Sequence, residues 1–371
     1  MQWIEAVFVR GGTSKGLFFC EDWLPDEESE RNRIFAQALG APDRFGRQLD
    51  GMGGGISSLS KVMVVARSKR DGVDLDYTFG QVAVDSGITD YAGNCGNLSS
   101  GVVPFALEAG LLQAPEGEQR FTLFNTNTSK LVQVTLQVVG GRAAVRGALS
   151  LPGVHGVAAP IELSYPDPAG SRSSGLLPTG NPADLLKVDG QVYPVSLVDA
   201  ALPMVMIQAS LLGLDGTESP EAIDANTPVI QRLEKIRRAG AVAMGLSATP
   251  DEAAHVVPKI ALIAPSSPAL LLDGTLSGAE DSDLAIRVIS MGQTHKAVPG
   301  TGAMCLAAAA QIPGSIVAKV APGLEGEIIR LGTPSGAVSA AAHFDAAGKL
   351  MHTSLLRTAR ILMKGFVQLP E

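Results

Sequence analysis

Apolar residues recur along this chain with two periods, and the changes between them outline its elements. Short runs of alternating or unbroken apolar character, flanked by Gly, Pro, Asn, Asp or Ser, predict strands. In the first half these fall at residues 6–9, 17–20, 62–66, 74–84, 121–123, 131–139 and 143–145. In the second half they fall at 191–198, 204–207, 258–265 and 284–290, with a strand-like end over 355–367. That last stretch carries Arg357, Arg360 and Lys364, which read as a solvated face. Helical spacing covers residues 27–39, stopped at Gly40, and 227–240, opened by Thr227-Pro228. Two more stretches predict buried helices. One runs for about three turns from Leu98 and stops at Gly110. The other covers residues 301–310.

The two buried helices belong to a partial repeat. Each half holds a strand, a loop of small residues and then the helix. Residues 165–182 are the most loop-like stretch, rich in Pro, Gly and Ser. A domain boundary there predicts a first domain over 1–180 and a second over 181–371, with the last strand returning to the first. The pattern is that of a mixed α/β protein.

Composition narrows the class. A chain of 371 residues can build two real cores, and 46% apolar with 18% charged residues describes a globular enzyme, not a disordered chain. A net charge of −8 argues against nucleic acid as a partner. The three cysteines, Cys20, Cys95 and Cys305, lie far apart and form no CxxC pair, which fits a reducing compartment. No basic leader with an apolar core opens the chain, and no apolar run reaches membrane-spanning length. The expectation is a cytoplasmic protein with no membrane partner, and base rates favour a homodimer.

Candidate chemistry gathers in the loops. Cys95 sits where the first buried helix begins, where free N–H groups and the macrodipole favour a thiolate or a bound carboxylate. Its alternative is a small buried hydrophobe. Arg10-Gly-Gly-Thr-Ser-Lys-Gly16 is either an ordinary hairpin turn or an anion-binding nest formed by Thr13, Ser14 and Lys15. Lys61 opens a buried strand, and Ser60 before it is a candidate substrate contact. The lysine is either solvated or directed into a cleft where desolvation makes it a base. His295 makes either a backbone contact or a carboxylate contact. The other histidines, His155, His255, His343 and His352, show no metal-ligand spacing. No metal and no organic cofactor are expected.

Several blocks in order resemble the PrpF-type isomerases. They are Val9-Arg-Gly-Gly-Thr-Ser-Lys-Gly16, Ser60-Lys-Val62, Gly93-Asn-Cys-Gly-Asn97, Pro258-Lys-Ile260, and Gly292-Gln-Thr-His-Lys296 with Pro299-Gly-Thr-Gly-Ala303. That family includes methylaconitate cis-trans isomerase, methylitaconate delta-isomerase and 4-oxalomesaconate isomerase or tautomerase. The resemblance implies a diaminopimelate epimerase-like fold: two similar domains, each a curled mixed sheet around a central helix. It also implies that Lys61 and Cys95 are the acid/base pair. Ser14, Asn94, Gly96, Asn97, Gly300, Thr301 and Gly302 would then lie in loops around the substrate. Racemases of this superfamily place a cysteine at each helix mouth, but here the second position is Pro299. Cys305 lies deeper in the helix and reads as core. One thiol and one lysine fit a proton shift better than a two-thiol inversion.

The reaction implied is a 1,3-allylic proton shift, or the related cis-trans isomerisation, in an unsaturated di- or tricarboxylate. Such a C–H is weakly acidic, so a base within reach and stabilisation of the developing dienolate are needed. Lys61 is assigned as the base and Cys95 as a positioning group or second proton donor, with the reverse assignment open. The oxalomesaconate and methylitaconate types fit best. The alternatives are a methylaconitate isomerase and a non-catalytic accessory protein that binds such acids.

Overall fold

A computed structural model describes residues 2–370, except 92–94, 255–256, 291, 322 and 325. The chain divides into two compact units. One is Met1–Ser164 with Leu356–Glu371, and the other is Tyr165–Leu355. The loop-like stretch after Ser164 therefore goes with the second unit.

In the first unit the sheet strands are β1 (Gln2–Gly11), β2 (Ser14–Cys20), β3 (Lys61–Arg67), β4 (Leu75–Val82), β5 (Gly117–Asn125), β6 (Lys130–Val139) and β7 (Ile161–Pro166). The C-terminal strand Ala359–Leu369 pairs antiparallel with β1. From β1 the order follows the numbering, with β1–β2 antiparallel, β2–β3 parallel, β3–β4 antiparallel, β4–β5 parallel, then β5–β6 and β6–β7 antiparallel.

The second unit uses β8 (Asp184–Val188), β9 (Gln191–Asp199), β10 (Pro203–Gln208), β11 (Lys259–Pro265), β12 (Leu284–Ser290), β13 (Ile328–Thr333), β14 (Gly336–Phe344) and β15 (Leu350–Arg357). Its successive pairings are antiparallel, antiparallel, parallel, antiparallel, parallel, antiparallel and antiparallel. That is the order of the first unit, counted from its C-terminal strand. The repeat seen in the sequence is a duplicated topology.

Alternation along the strands sends side chains to two helical layers. In the first unit Leu17, Phe19, Val62 and Val64 pack with Ile34, Phe35 and Leu39 of α1 (Glu28–Leu39). Gly40 ends that helix in the left-handed conformation, as expected. The opposite parity, Phe18 for example, meets Phe105 at 5.5 Å between ring centroids. Phe105 belongs to the inner helix. In the second unit Val205, Ile207, Ile260 and Leu262 pack with Leu233 and Ile236, which lie on the helix Thr227–Ala243. The other side of that sheet meets the buried helix Gly300–Ala310.

The inner helix of the first unit is not continuous. It forms α2 (Gly96–Ser99) and α3 (Val102–Glu108). Pro104 has no N–H to give the Ser100 carbonyl, and the Ser100 hydroxyl instead donates to the Asn97 carbonyl at 2.7 Å. Gly101 lets the break sit against the sheet, since a Cβ there would be 2.9 Å from Val9 Cγ1. The strand-like end also breaks, at Thr358, whose carbonyl accepts from Gly12 N at 2.9 Å. Arg357 is buried, not on a solvated face. Among the described residues, no helix is long and apolar enough to cross a membrane.

Candidate functional site

The β1–β2 hairpin turn is where three segments of the first unit close together, and missing Cβ atoms make this possible. A Cβ on Gly16 would lie 2.3 Å from the Lys61 carbonyl oxygen. One on Gly11 would lie 2.5 Å from the Asn97 carbonyl oxygen. Gly12 sits at φ +53, with its absent Cβ 2.3 Å from Asn97 Oδ1. Arg10 fastens the turn from below: its guanidinium donates to the carbonyls of Gly12 and Thr358 at 3.0 and 2.9 Å. The turn thus has Lys61 on one flank and the α2 N-terminus, with Cys95 at its N-cap, on the other.

Lys61 opens β3 directly opposite Gln81 of β4. Its Nζ donates to Gln81 Oε1 at 2.5 Å and lies 4.9 Å from the Phe79 ring centroid. The Gln81 amide cannot flip without loss, because its Nε2 donates to the carbonyls of Ser60 and Ser57 at 2.8 and 3.1 Å. Residues 62 and 64 face α1, so alternation puts Lys61 on the inner-helix side.

Ser60 was expected to touch substrate. Its hydroxyl is fully buried, accepting from Gln48 Nε2 at 2.9 Å and donating to the Val82 carbonyl at 2.8 Å. It fixes the start of β3 instead.

Cys95 is buried over a polar platform. Ser99 Oγ sits 3.0 Å from the Cys95 carbonyl oxygen and 3.1 Å from the Tyr77 hydroxyl. Asn125 Nδ2 donates to that same hydroxyl at 3.0 Å. Burial pushes the Tyr77 phenol up to about 12, so it stays protonated. Asn127 ties Tyr91 to β4 by donating to the carbonyls of Tyr91 and Phe79, both at 2.8 Å. This anchors the chain just before the cysteine loop.

The remaining expected residues of this unit divide. Asn97 Nδ2 donates to Thr13 Oγ1 at 3.0 Å, which joins helix mouth and turn. Ser14 is buried in the same hairpin, and Gly96 is the first residue of α2. Asn94 lies outside the described residues. Lys15 does not join the group. It has the parity of Leu17 and Phe19, and its Nζ lies 5.2 Å from the Phe8 ring centroid on the α1 side. The nest expected from Thr13, Ser14 and Lys15 therefore loses its cation to the other face of the sheet.

In the second unit, the helix Gly300–Ala310 begins with Gly300, Thr301 and Gly302, with Pro299 at its N-cap. His295 Nδ1 accepts from Ala297 N at 3.0 Å, so the neutral ring carries its proton on Nε2. Burial lowers its pKa; the Ala297 contact opposes this, and the charge of Lys259 adds a smaller lowering. The ring therefore stays a neutral donor. Cys305 is fully buried, with Sγ 3.4 Å from the Val198 carbonyl oxygen, and burial raises its pKa strongly. It belongs to the core, as the sequence indicated. Among the described residues no group of three His, Cys, Asp or Glu is arranged to hold a metal ion.

Gln81, Phe79, Tyr77 and Ser99 were not anticipated. Strand alternation from Tyr77 through Phe79 to Gln81 was the available signal, but the strand pairing that sets Gln81 opposite Lys61 is not written in either segment.

Comparison with known proteins places this arrangement. The family model described as PrpF protein matches residues 1–370. The 3-methylitaconate isomerase of Eubacterium barkeri is 37% identical over 98% of this chain and 96% of its own. The (4E)-oxalomesaconate Delta-isomerase of Novosphingobium sp. (strain KA1) is 39% identical, over 97% and 96%. The 2-methyl-aconitate isomerase of Shewanella oneidensis is 35% identical, over 99% and 97%. A crystal structure of methylitaconate-delta-isomerase matches with a TM-score of 0.91 at 35% identity, covering 99% of this chain and 95% of that one. A probable proline racemase from Agrobacterium radiobacter K84 shares the fold alone, with a TM-score of 0.50 at 12% identity over 99% and 93%. Over its whole length and in its fold, this chain belongs to the PrpF family and is an isomerase.

Proposed function

We propose that the protein moves a carbon–carbon double bond by a 1,3-allylic proton shift in an unsaturated di- or tricarboxylate, of the methylitaconate or oxalomesaconate type. The observation that carries this reading is the pairing of one lysine and one cysteine, Lys61 and Cys95, on the two flanks of the Gly11–Gly16 turn. Full-length relatives named for isomerisation of such acids support it.

In this reading the Lys61 amine removes the allylic proton. The electron pair passes into the conjugated carboxylate or carbonyl group, giving a dienolate. The new ammonium then returns the proton at the far carbon, and the double bond has moved with no net change in protons. Gln81 and Phe79 hold the lysine head in place. Cys95 positions the substrate or serves as a second proton donor. Thr13, Ser14, Gly96 and Asn97 are proposed carboxylate contacts. Ser60 is proposed as a support of Lys61, not a ligand.

Proton NMR in D₂O with 2-methylitaconate, oxalomesaconate and methylaconitate tests the reaction. Deuterium at an allylic carbon, with movement of the double bond, is the expected result. Lys61→Ala should lower kcat by about 10²–10⁴-fold while substrate still binds. Lys61→Arg keeps a cation that cannot serve as a base, and should be equally slow. Turnover retained in Lys61→Arg would transfer the base role to Cys95. Exchange in none of the acids would remove the isomerisation proposed.

A further inference from the structure

The sheet of the first unit keeps an open edge. Its C-terminal strand Ala359–Leu369 pairs with β1 and, among the described residues, with no other strand. The first half of that strand is blunted against further pairing. Arg360 is exposed, and Leu362 is the extra residue of a bulge, since Met363 lies opposite Phe8 and Ile361 opposite Val9. From 363 to 369 the register with β1 is regular. The exposed side chains there are Lys364, Phe366 and Gln368.

On one face of this edge the sheet outruns its helix. Val7 and Phe18 lie opposite each other on the inner-helix side, where Phe18 meets Phe105. Lys364 is opposite Val7, and its Nζ donates to the carbonyl of Glu108, the last residue of α3, at 3.3 Å. Two more rows run on past that helix end, Glu5 opposite Phe366 and Trp3 opposite Gln368. Trp3 is 57% exposed and Phe366 62%. The two rings are diagonal neighbours on one face. On the other face Met363 and Val367 pack with the α1 cluster. Between them Gly365 has nothing within 4 Å of its would-be Cβ.

We infer that this edge is the contact between two copies of the chain, with residues 363–369 of each strand paired antiparallel about a twofold axis at Phe366. A single open edge closes a pair when both copies present the same strand, which is the isologous arrangement. Opposite residues of an antiparallel pair share a face, so the axis passes between one residue and its own copy. At Lys364 that would set ammonium against ammonium. An axis at Gly365 draws the Leu362 bulge into the ladder, and one at Val367 shortens the ladder. At Phe366 the two rings meet. Lys364 then stands opposite the partner's Gln368, one strand from the partner's Trp3, and no like charges face each other. Gly365 stands opposite the partner's Val367, whose branched side chain takes the open space.

The areas are of the right order. A buried aromatic side chain covers about 150–250 Å², so Trp3 and Phe366 at their exposures offer roughly 250 Å² per copy. That is about a third of the ~800 Å² per partner found in stable interfaces. The strand edge itself, with the stems of Lys364 and Gln368, supplies the remainder. Pairing satisfies the outward N–H and C=O groups of the strand and makes one sheet continuous through both copies. It also braces β1, which leads into the Gly11–Gly16 turn. The inference is independent of the reaction proposed above.

Analytical ultracentrifugation of the whole protein should show a dimer. Phe366→Glu puts a carboxylate against its own copy on the axis, and should raise the dimer dissociation constant by about 100-fold or more, with circular dichroism unchanged. Wild-type protein that sediments as a monomer overturns the inference, and so does a dimer that survives undiminished in Phe366→Glu. Cross-linking reads the register. Directly opposite residues stand about 4.5–5.5 Å apart between Cα atoms, within reach of a disulfide. Phe366→Cys should therefore give a covalent dimer under mild oxidation. Lys364→Cys and Gln368→Cys, each roughly 13 Å along the strand from its own copy, should not. Cys20, Cys95 and Cys305 are buried, so the wild type is the uncross-linked control. A covalent dimer from Lys364→Cys or Gln368→Cys, with none from Phe366→Cys, overturns the proposed pairing. If Phe366→Glu does not fold, hydrogen exchange on the wild type answers instead. Dilution to the monomer should expose the amides of 363–369, and protection there that ignores dilution overturns the inference.

Discussion

Gly16→Ala is a one-carbon perturbation with a consequence that can be worked from the packing. Gly16 lies on β2 beside the start of β3, and a Cβ there would meet Lys61 O at 2.3 Å, Lys61 C at 2.9 Å and Lys61 Cβ at 3.2 Å. Ordinary contact begins near 3.4 Å, so about 1 Å of separation is needed. The obstacle is backbone on both strands, which cannot rotate away as a side-chain tip would. Nor is φ the issue, because Gly16 is absent from the positive-φ glycines. Overpacking of this kind costs about 1–3 kcal/mol. The displaced group is the proposed proton-transfer lysine, and a shift of about 1 Å in a catalytic group can lower the rate by about 10²-fold. Gly365→Ala is the matched control. Gly365 also lies in a strand, with nothing within 4 Å of its would-be Cβ. Urea unfolding and kcat, measured for both variants on the acid that the wild type converts, separate the two terms. Gly16→Ala should lose both stability and turnover, while Gly365→Ala should keep both. A Gly16→Ala protein with wild-type kcat would refute the argument that this close approach sets the position of Lys61.

Ser60→Ala removes the acceptor of the buried Gln48 Nε2 and the hydroxyl donor to the Val82 carbonyl. It should lower stability by about 1–3 kcal/mol in urea titration, and an unchanged midpoint would contradict the supporting role given to it. Glu234 is raised by burial, but hydrogen bonds from Arg237 and Arg238 outweigh this and hold it at about 2. A depressed carboxyl adds stability above its unfolded value near 4.5, and that stability is lost as pH falls toward 2. Glu234→Gln should therefore flatten thermal stability across that window, and an unaltered acid limb would count against the Arg237 cradle. Cys305→Ala should keep turnover, with stability lowered by about 1 kcal/mol. Loss of turnover in that variant, with the fold intact by circular dichroism, would reopen a two-thiol mechanism.

Much of this protein is determined locally. Short apolar runs between glycines and prolines specify their strands, because alternation and turn chemistry act within a few residues. The repeated run of strand, small-residue loop and buried helix was legible for the same reason, and so were Lys61 at a strand mouth, Cys95 at a helix mouth and Cys305 in the core. Tertiary structure decided what depends on pairing between distant segments. Strand parity sent Lys15 to the α1 side of the sheet, although it lies one residue from Ser14. Ser60 looked like a site hydroxyl until Gln48 and Val82 took both of its hydrogen bonds. Gln81 faces Lys61 because β3 and β4 pair in one register, and a shift by one residue would turn it to the other side.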